Sequence, residues 1–232
     1  EPLPRSALPR GNGVNERINV VVFASGGGTN FQALLDAAQG AEHWRIAGLI
    51  TNTPTAGALD RARTVETPAE VIPTKDRDPS EVASDMLSAL DDWKADVICL
   101  AGYMRLLPAA VVARFRNRIL NIHPALLPSF GGKGMYGMNV HRAVLAAGET
   151  WSGATVHYVD ERYDEGSIIA QSRVPVEAGD SPEALQARVL KIEHNLYPAA
   201  LHHVCAALRR GEEPGALPAE PTHLHILPEE MS

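Results

Sequence analysis

The chain has 232 residues, 45% of them hydrophobic, which is enough to bury a full core and is best read as one globular domain. A formal net charge of −7, with no basic stripe to neutralise phosphates, argues against a nucleic-acid partner. No apolar run reaches membrane-spanning length, and the proline-rich opening Glu1–Arg10 does not suit a signal peptide, so a cytoplasmic protein is expected.

Residues 1–17 read as a loose arm and 211–232 as a tail, leaving 18–210 as the folded domain. Apolar runs predict strands over 18–24, 45–50, a weaker one over 69–73, then 96–101 and 118–122. Between them, helical spacing falls over 30–38, 57–64, 80–90 (with Ser80 as N-cap) and 108–115. Short, fully apolar strands alternating with helices imply an α/β, doubly wound, mostly parallel, Rossmann-like sheet. Runs at 154–159 and 167–174 have no helix between them and are expected as an antiparallel C-terminal extension. Ser181-Pro182 then opens a long closing helix. Cys99 and Cys205 show neither redox nor metal-ligand spacing and are read as buried thiols of a reducing compartment.

In sheets of this kind, ligands bind beyond the carboxyl ends of the strands. Three segments reach that rim: Ser25-Gly-Gly-Gly-Thr-Asn30, Gly102-Tyr-Met-Arg105 and Asn121-Ile-His123. The first joins a strand to a helix, so its N–H groups and the helix dipole make an anion site, although a tight structural turn would look the same. A nicotinamide cofactor fits poorly. Phe31 stands where the third glycine of the dinucleotide fingerprint belongs, and the second strand ends in Thr51-Asn52 rather than an acid. A single phosphate monoester fits better. Asn121 and His123, two apart on a strand and cut off by Pro124, project to one face. An amide and an imidazole there suit a developing oxyanion, and Asp164, after a later strand, is placed to hold the imidazole charged.

With the glycine loop, Asn121-Ile-His-Pro-Ala-Leu-Leu-Pro128 and Asp164, the chain resembles the phosphoribosylglycinamide formyltransferases, folate-dependent enzymes of purine synthesis. The likeness runs from about Ile18 to Leu208 and includes Leu100-Ala-Gly-Tyr-Met-Arg-Leu-Leu107, Gly153-Ala-Thr-Val-His157 and Glu193-His-Asn-Leu-Tyr-Pro198. It implies metal-free transfer of the formyl group of 10-formyltetrahydrofolate, as co-substrate, to the amine of glycinamide ribonucleotide. Asn121, His123 and Asp164 match the catalytic set, with Asp164 expected to raise the pKa of His123. By the same resemblance Gly27, Gly28, Thr29 and Asn30 bind the substrate phosphate, and Glu193 meets its ribose or amine end. Met104, Arg105, Leu106, Leu107 and Asn121 line the folate pocket, the loop 160–165 closes over the pterin, and 130–137 is a flap carrying Lys133. Relatives often have a basic residue where Ser80 stands, with Arg77 as the expected substitute. Homodimers are common in that family.

Blander readings stand beside these. Asp164 suits a turn before Gly166, Glu193 a solvated helix face, Arg105 a helix cap, and His157 a core or site-supporting position rather than a ligand. Trp44, Trp93 and Trp151 read as packing residues; His202 and His203 diverge on their helix, and His223 and His225 fall in the tail. The rival functions are a 10-formyltetrahydrofolate deformylase, a methionyl-tRNA formyltransferase, and a non-catalytic phosphate-binding module. The first is expected to need an extra N-terminal domain and the second a C-terminal nucleic-acid-binding one.

Overall fold

The computed structural model describes residues 17–160, 164–212 and 222–223. Among the described residues, eight strands form one sheet: β1 (Ile18–Phe23), β2 (Trp44–Thr51), β3 (Ala69–Val71), β4 (Val97–Leu100), β5 (Ile119–His123), β6 (Trp151–Tyr158), β7 (Ile168–Pro175) and β8 (Thr222–His223). Their order is β3-β2-β1-β4-β5-β6-β7-β8. Strands β3 to β5 are parallel, β6 is antiparallel to both β5 and β7, and β8 is parallel to β7. This is the expected doubly wound sheet with its antiparallel extension. One correction concerns the tail, which adds Thr222–His223 as an edge strand. Most of the expected arm (1–16), the middle of the pterin loop (161–163) and the rest of the tail, including His225, lie outside the described residues.

Six helices among the described residues cover the sheet: α1 (Thr29–Ala38), α2 (Ala58–Thr64), α3 (Pro79–Asp92), α4 (Ala109–Arg114), α5 (Met138–Ala146) and α6 (Pro182–Arg209). The central strands are mostly apolar because alternate residues serve opposite faces. Val20, Val22, Val97, Cys99, Leu120 and Ile122 join one core with Phe31, Leu34 and the apolar side of α6. Val21, Phe23, Ile98, Leu100 and Ile119 join the other with α3 and α4. Both cysteines are buried and free.

Helix α3 is capped two residues earlier than expected. Asp78, not Ser80, caps it: the Asp78 carboxylate accepts from the Ser80 N–H at 2.7 Å and the Ser80 hydroxyl at 2.5 Å, with Pro79 in the first turn. Helix α5 is not among the expected helices: a glycine run precedes it and its inward stripe is only Val140, His141 and Val144. Trp44 and Trp93 do pack inward, Trp93 against Gly48, but Trp151 is 45% exposed with the Arg173 guanidinium over its ring.

Strand order reverses between β1 and β4, which opens the crevice at the C-terminal edge where ligands bind in such sheets. Tyr197 of α6 pins this region from below. Its buried hydroxyl lies 3.0 Å from the Leu100 carbonyl and 2.9 Å from that of Leu120, one on each of two site-bearing strands.

Candidate active site

The turn after β1 is shaped by glycine where the space is tightest. Gly28 has φ +71, and a Cβ there would lie 2.8 Å from the Ala58 Cβ. The loop's carbonyls are engaged: Gly26 accepts from the Ala58 N–H at 3.1 Å, Gly27 from Arg61 Nε at 2.7 Å, and Gly28 from the Gln32 N–H at 2.9 Å. The groups left to meet a ligand are N–H donors at the start of α1, a ten-residue helix whose dipole favours an anion. Asn30 reaches across to Glu193 at 2.6 Å, while its own Oδ1 is buried without a partner and can take a ligand hydroxyl or amine proton.

Asn121, His123 and Asp164 do gather at one place, and a fourth residue organises them. The β5–β6 register sets His157 opposite Asn121. His157 Nδ1 lies 2.8 Å from the Tyr158 carbonyl, which can only accept, so the proton sits on Nδ1 and Nε2 is left as an acceptor. Asn121 Nδ2 fills that role at 3.0 Å, which fixes the orientation of the amide. Asp164, at φ +55, places one carboxylate oxygen 3.5 Å from His157 Nε2 and the other 3.7 Å from His123 Nδ1. Asp164 thus sits in the turn before Gly166 and also faces both imidazoles. His157 is buried and supports Asn121, and the strand register supplies the pairing.

The 130–137 segment is clipped to the same groups. His123 Nε2 donates to the Phe130 carbonyl at 2.8 Å, and the Gly132 N–H donates to Asp164 at 2.9 Å. The electrostatic expectation needs correcting here. Burial lowers the His123 pKa below its ordinary 6.5; Asp164 and the Phe130 carbonyl push it up, His157 pushes it down, and burial prevails. The resting imidazole is neutral rather than a standing imidazolium. Burial works to raise the Asp164 carboxyl, but His157, His123 and the Gly132 amide together hold it below 3.8. Burial likewise lowers His141 of α5, and the nearby His123 adds to that effect.

These residues line one cleft of about 930 Å³. Its walls include Gly26 to Asn30, Gly102 to Leu107, Asn121, His123, Lys133, Tyr136, His141, His157, Asp160, Asp164 and Glu193. Gly27, Gly28, Thr29, Asn30, Met104, Arg105, Leu106 and Leu107 thus share a cavity with the catalytic candidates. Arg105 is not a cap, since α4 is entered through Pro108. Glu193 is not on a solvated face: it is 6% exposed, and burial raises its carboxyl to about 7 against the Asn30 contact. Ser80 and Arg77 are not in the lining, and Arg77 pairs with Asp85 at 2.8 Å. Gln186 and Leu190 of α6 line the cleft unforeseen, one turn and more before Glu193 on the same helix.

The chain matches the formyl transferase family over residues 18–201. It is 43% identical over 202 residues to a phosphoribosylglycinamide formyltransferase, chloroplastic, of Arabidopsis thaliana, covering 86% of this chain and 69% of the relative. A solved phosphoribosylglycinamide formyltransferase from Brucella melitensis superposes with a TM-score of 0.76 at 45% identity, over 82% of this chain and 97% of the other. A formyltetrahydrofolate deformylase from Pseudomonas syringae is more distant, at 26% identity and a TM-score of 0.75, over 83% of this chain and 63% of that one. The chain belongs to the formyltransferase family and, within it, to the phosphoribosylglycinamide formyltransferases.

Proposed function

We propose that this chain transfers the formyl group of 10-formyltetrahydrofolate to the primary amine of glycinamide ribonucleotide, releasing tetrahydrofolate, a step of purine synthesis. The observation that carries the reading is the single cleft holding Asn121, His123, Asp164 and the glycine loop together. Residues 18–210 form the catalytic unit in this reading. Free, buried Cys99 and Cys205 agree with a reducing compartment such as the cytoplasm, and the Arabidopsis relative is named as chloroplastic.

The phosphate sits on the N–H groups of Gly27, Gly28, Thr29 and Asn30, and Glu193 with Asn30 takes the ribose or amine end. The pteridine and its arm lie along Met104, Arg105, Leu106 and Leu107. The amine attacks the formyl carbon, and the carbonyl electron pair moves to oxygen. The Asn121 amide, held by His157, donates to that oxygen, and a pre-aimed donor of this kind is worth roughly 3–4 kcal/mol. His123 begins neutral with its proton on Nε2, so Nδ1, the nitrogen facing Asp164, is the one free to accept the proton the amine sheds. Asp164, facing Nδ1, stabilises the imidazolium that forms. That proton then passes to the folate nitrogen, and the carbon–nitrogen bond to the folate breaks.

The deciding experiment incubates the protein with 10-formyltetrahydrofolate, with and without glycinamide ribonucleotide. Tetrahydrofolate release that requires the ribonucleotide supports the transferase. Release without it marks a hydrolase, and none marks a binding module. His123→Ala is expected to slow turnover roughly a hundred- to a thousandfold; near-normal turnover would remove His123 from the mechanism.

A further inference from the structure

Ser25 stands outside the cleft lining but between its two halves. Gly26 to Asn30 line one side and Gly102 to Leu107 the other, and among the described residues neither Ser25 nor Asn52 contributes a wall. The Ser25 hydroxyl has one proton, which it donates to Asn52 Oδ1 at 2.5 Å, and it accepts the main-chain N–H of Met104 at 2.9 Å. The Ser25 N–H donates to the Gly102 carbonyl at 3.1 Å. One side chain therefore stitches together the C-terminal ends of β1, β2 and β4. Packing fixes the glycine loop at Gly28, against Ala58, while a Cβ at Gly26, Gly27 or Gly102 would meet nothing within 4 Å. At the Ser25 and Met104 ends, the hydrogen bonds of Ser25 join the two loops.

We propose that the Ser25 hydroxyl is a positioning residue that couples the phosphate loop to the folate loop, so that filling either subsite sets the backbone of the other. The inference rests on the transferase reading for the identity of the two ligands. Its logic is mechanical. A phosphate drawn onto Gly27 and Gly28 displaces the residue that begins their loop. Through Ser25 Oγ that movement reaches the Met104 N–H, at the middle of the segment that receives the folate. Linkage then requires the folate to return the same effect to the ribonucleotide. Asn52 serves the acceptor side of this relay: by taking the hydroxyl proton it turns the oxygen's lone pairs toward Met104.

The test measures dissociation constants for glycinamide ribonucleotide by titration calorimetry, with and without saturating tetrahydrofolate, a pair that cannot react. Wild-type protein is expected to bind the ribonucleotide about fivefold tighter when the folate is present, the effect of one neutral hydrogen bond. Ser25→Ala should bring that ratio close to one while each ligand alone still binds and the melting temperature stays near wild type. Ser25→Thr, which keeps the hydroxyl, should restore the ratio, and Asn52→Ala should lower it partway. An unchanged ratio in Ser25→Ala, or a ratio of one in wild type, overturns the proposal. If Ser25→Ala does not fold, the Asn52→Ala ratio decides alone. Failure of wild type to bind either ligand would overturn the transferase reading itself, a result distinguishable from the loss of coupling.

Discussion

Replacing Glu193 with glutamine isolates the energetic cost of the substrate subsite. The wild-type carboxyl is 6% exposed, it accepts from the Asn30 amide at 2.6 Å, and burial lifts it from 4.5 to about 7. Between those two values the folded protein binds more protons than the unfolded chain, so wild-type stability falls as pH rises through this window and levels off above it. At about 1.4 kcal/mol per pH unit, the full penalty for carrying the buried charge is roughly 3 kcal/mol. Glutamine keeps the shape and an oxygen for Asn30 but never ionises. Glu193→Gln is therefore expected to be more stable than wild type by about 2–3 kcal/mol near pH 8 and nearly equal to it near pH 5. Urea unfolding at both pH values, read by fluorescence and circular dichroism, gives the difference directly. The same variant should raise the KM for the ribonucleotide, because the charge that weakens the fold is what the substrate uses. A stability difference that does not change with pH, or a variant less stable at the higher pH, would refute the reasoning.

Three further outcomes follow from particular contacts. Asp164→Asn removes the charge that supports protonated His123, so the His123 pKa drops further below 6.5. The acid limb of kcat/KM should then move to lower pH as kcat falls, and a limb that moves up would contradict it. Gly28→Ala places a Cβ 2.8 Å from Ala58 at a φ of +71. It should cost roughly 1–3 kcal/mol of stability and weaken ribonucleotide binding more than folate binding, as measured by unfolding and titration. Tyr197→Phe removes the hydroxyl that meets the Leu100 and Leu120 carbonyls in a dry interior. A loss of about 1–3 kcal/mol is expected, and an unchanged urea midpoint would show that those carbonyls are served otherwise.

Much of this site can be read from the residues alone. Val20 to Phe23, Val97 to Leu100 and Ile119-Leu120 are apolar at every position because both faces are covered, which announces a parallel central sheet. Glycine at 28 and Asn-x-His at the end of β5 are local signals, since turn geometry and strand alternation act over a few residues. The role of His157 could not be found this way. It follows from the antiparallel register with β5 and a hydrogen bond to a neighbouring carbonyl, neither of which its own segment reveals. Helix α5 and His141 were hidden behind a glycine run, and the Ser25 relay joins residues 27 and 79 positions apart. The charge state of His123 was beyond sequence as well: Asp164 could be foreseen, but whether its attraction outweighs burial depends on how much water the fold excludes. Residue type and spacing determined which groups arrive at the rim; only three-dimensional packing decided their protonation, their partners and the loops they hold together, because desolvation and long-range hydrogen bonds arise only in the folded chain.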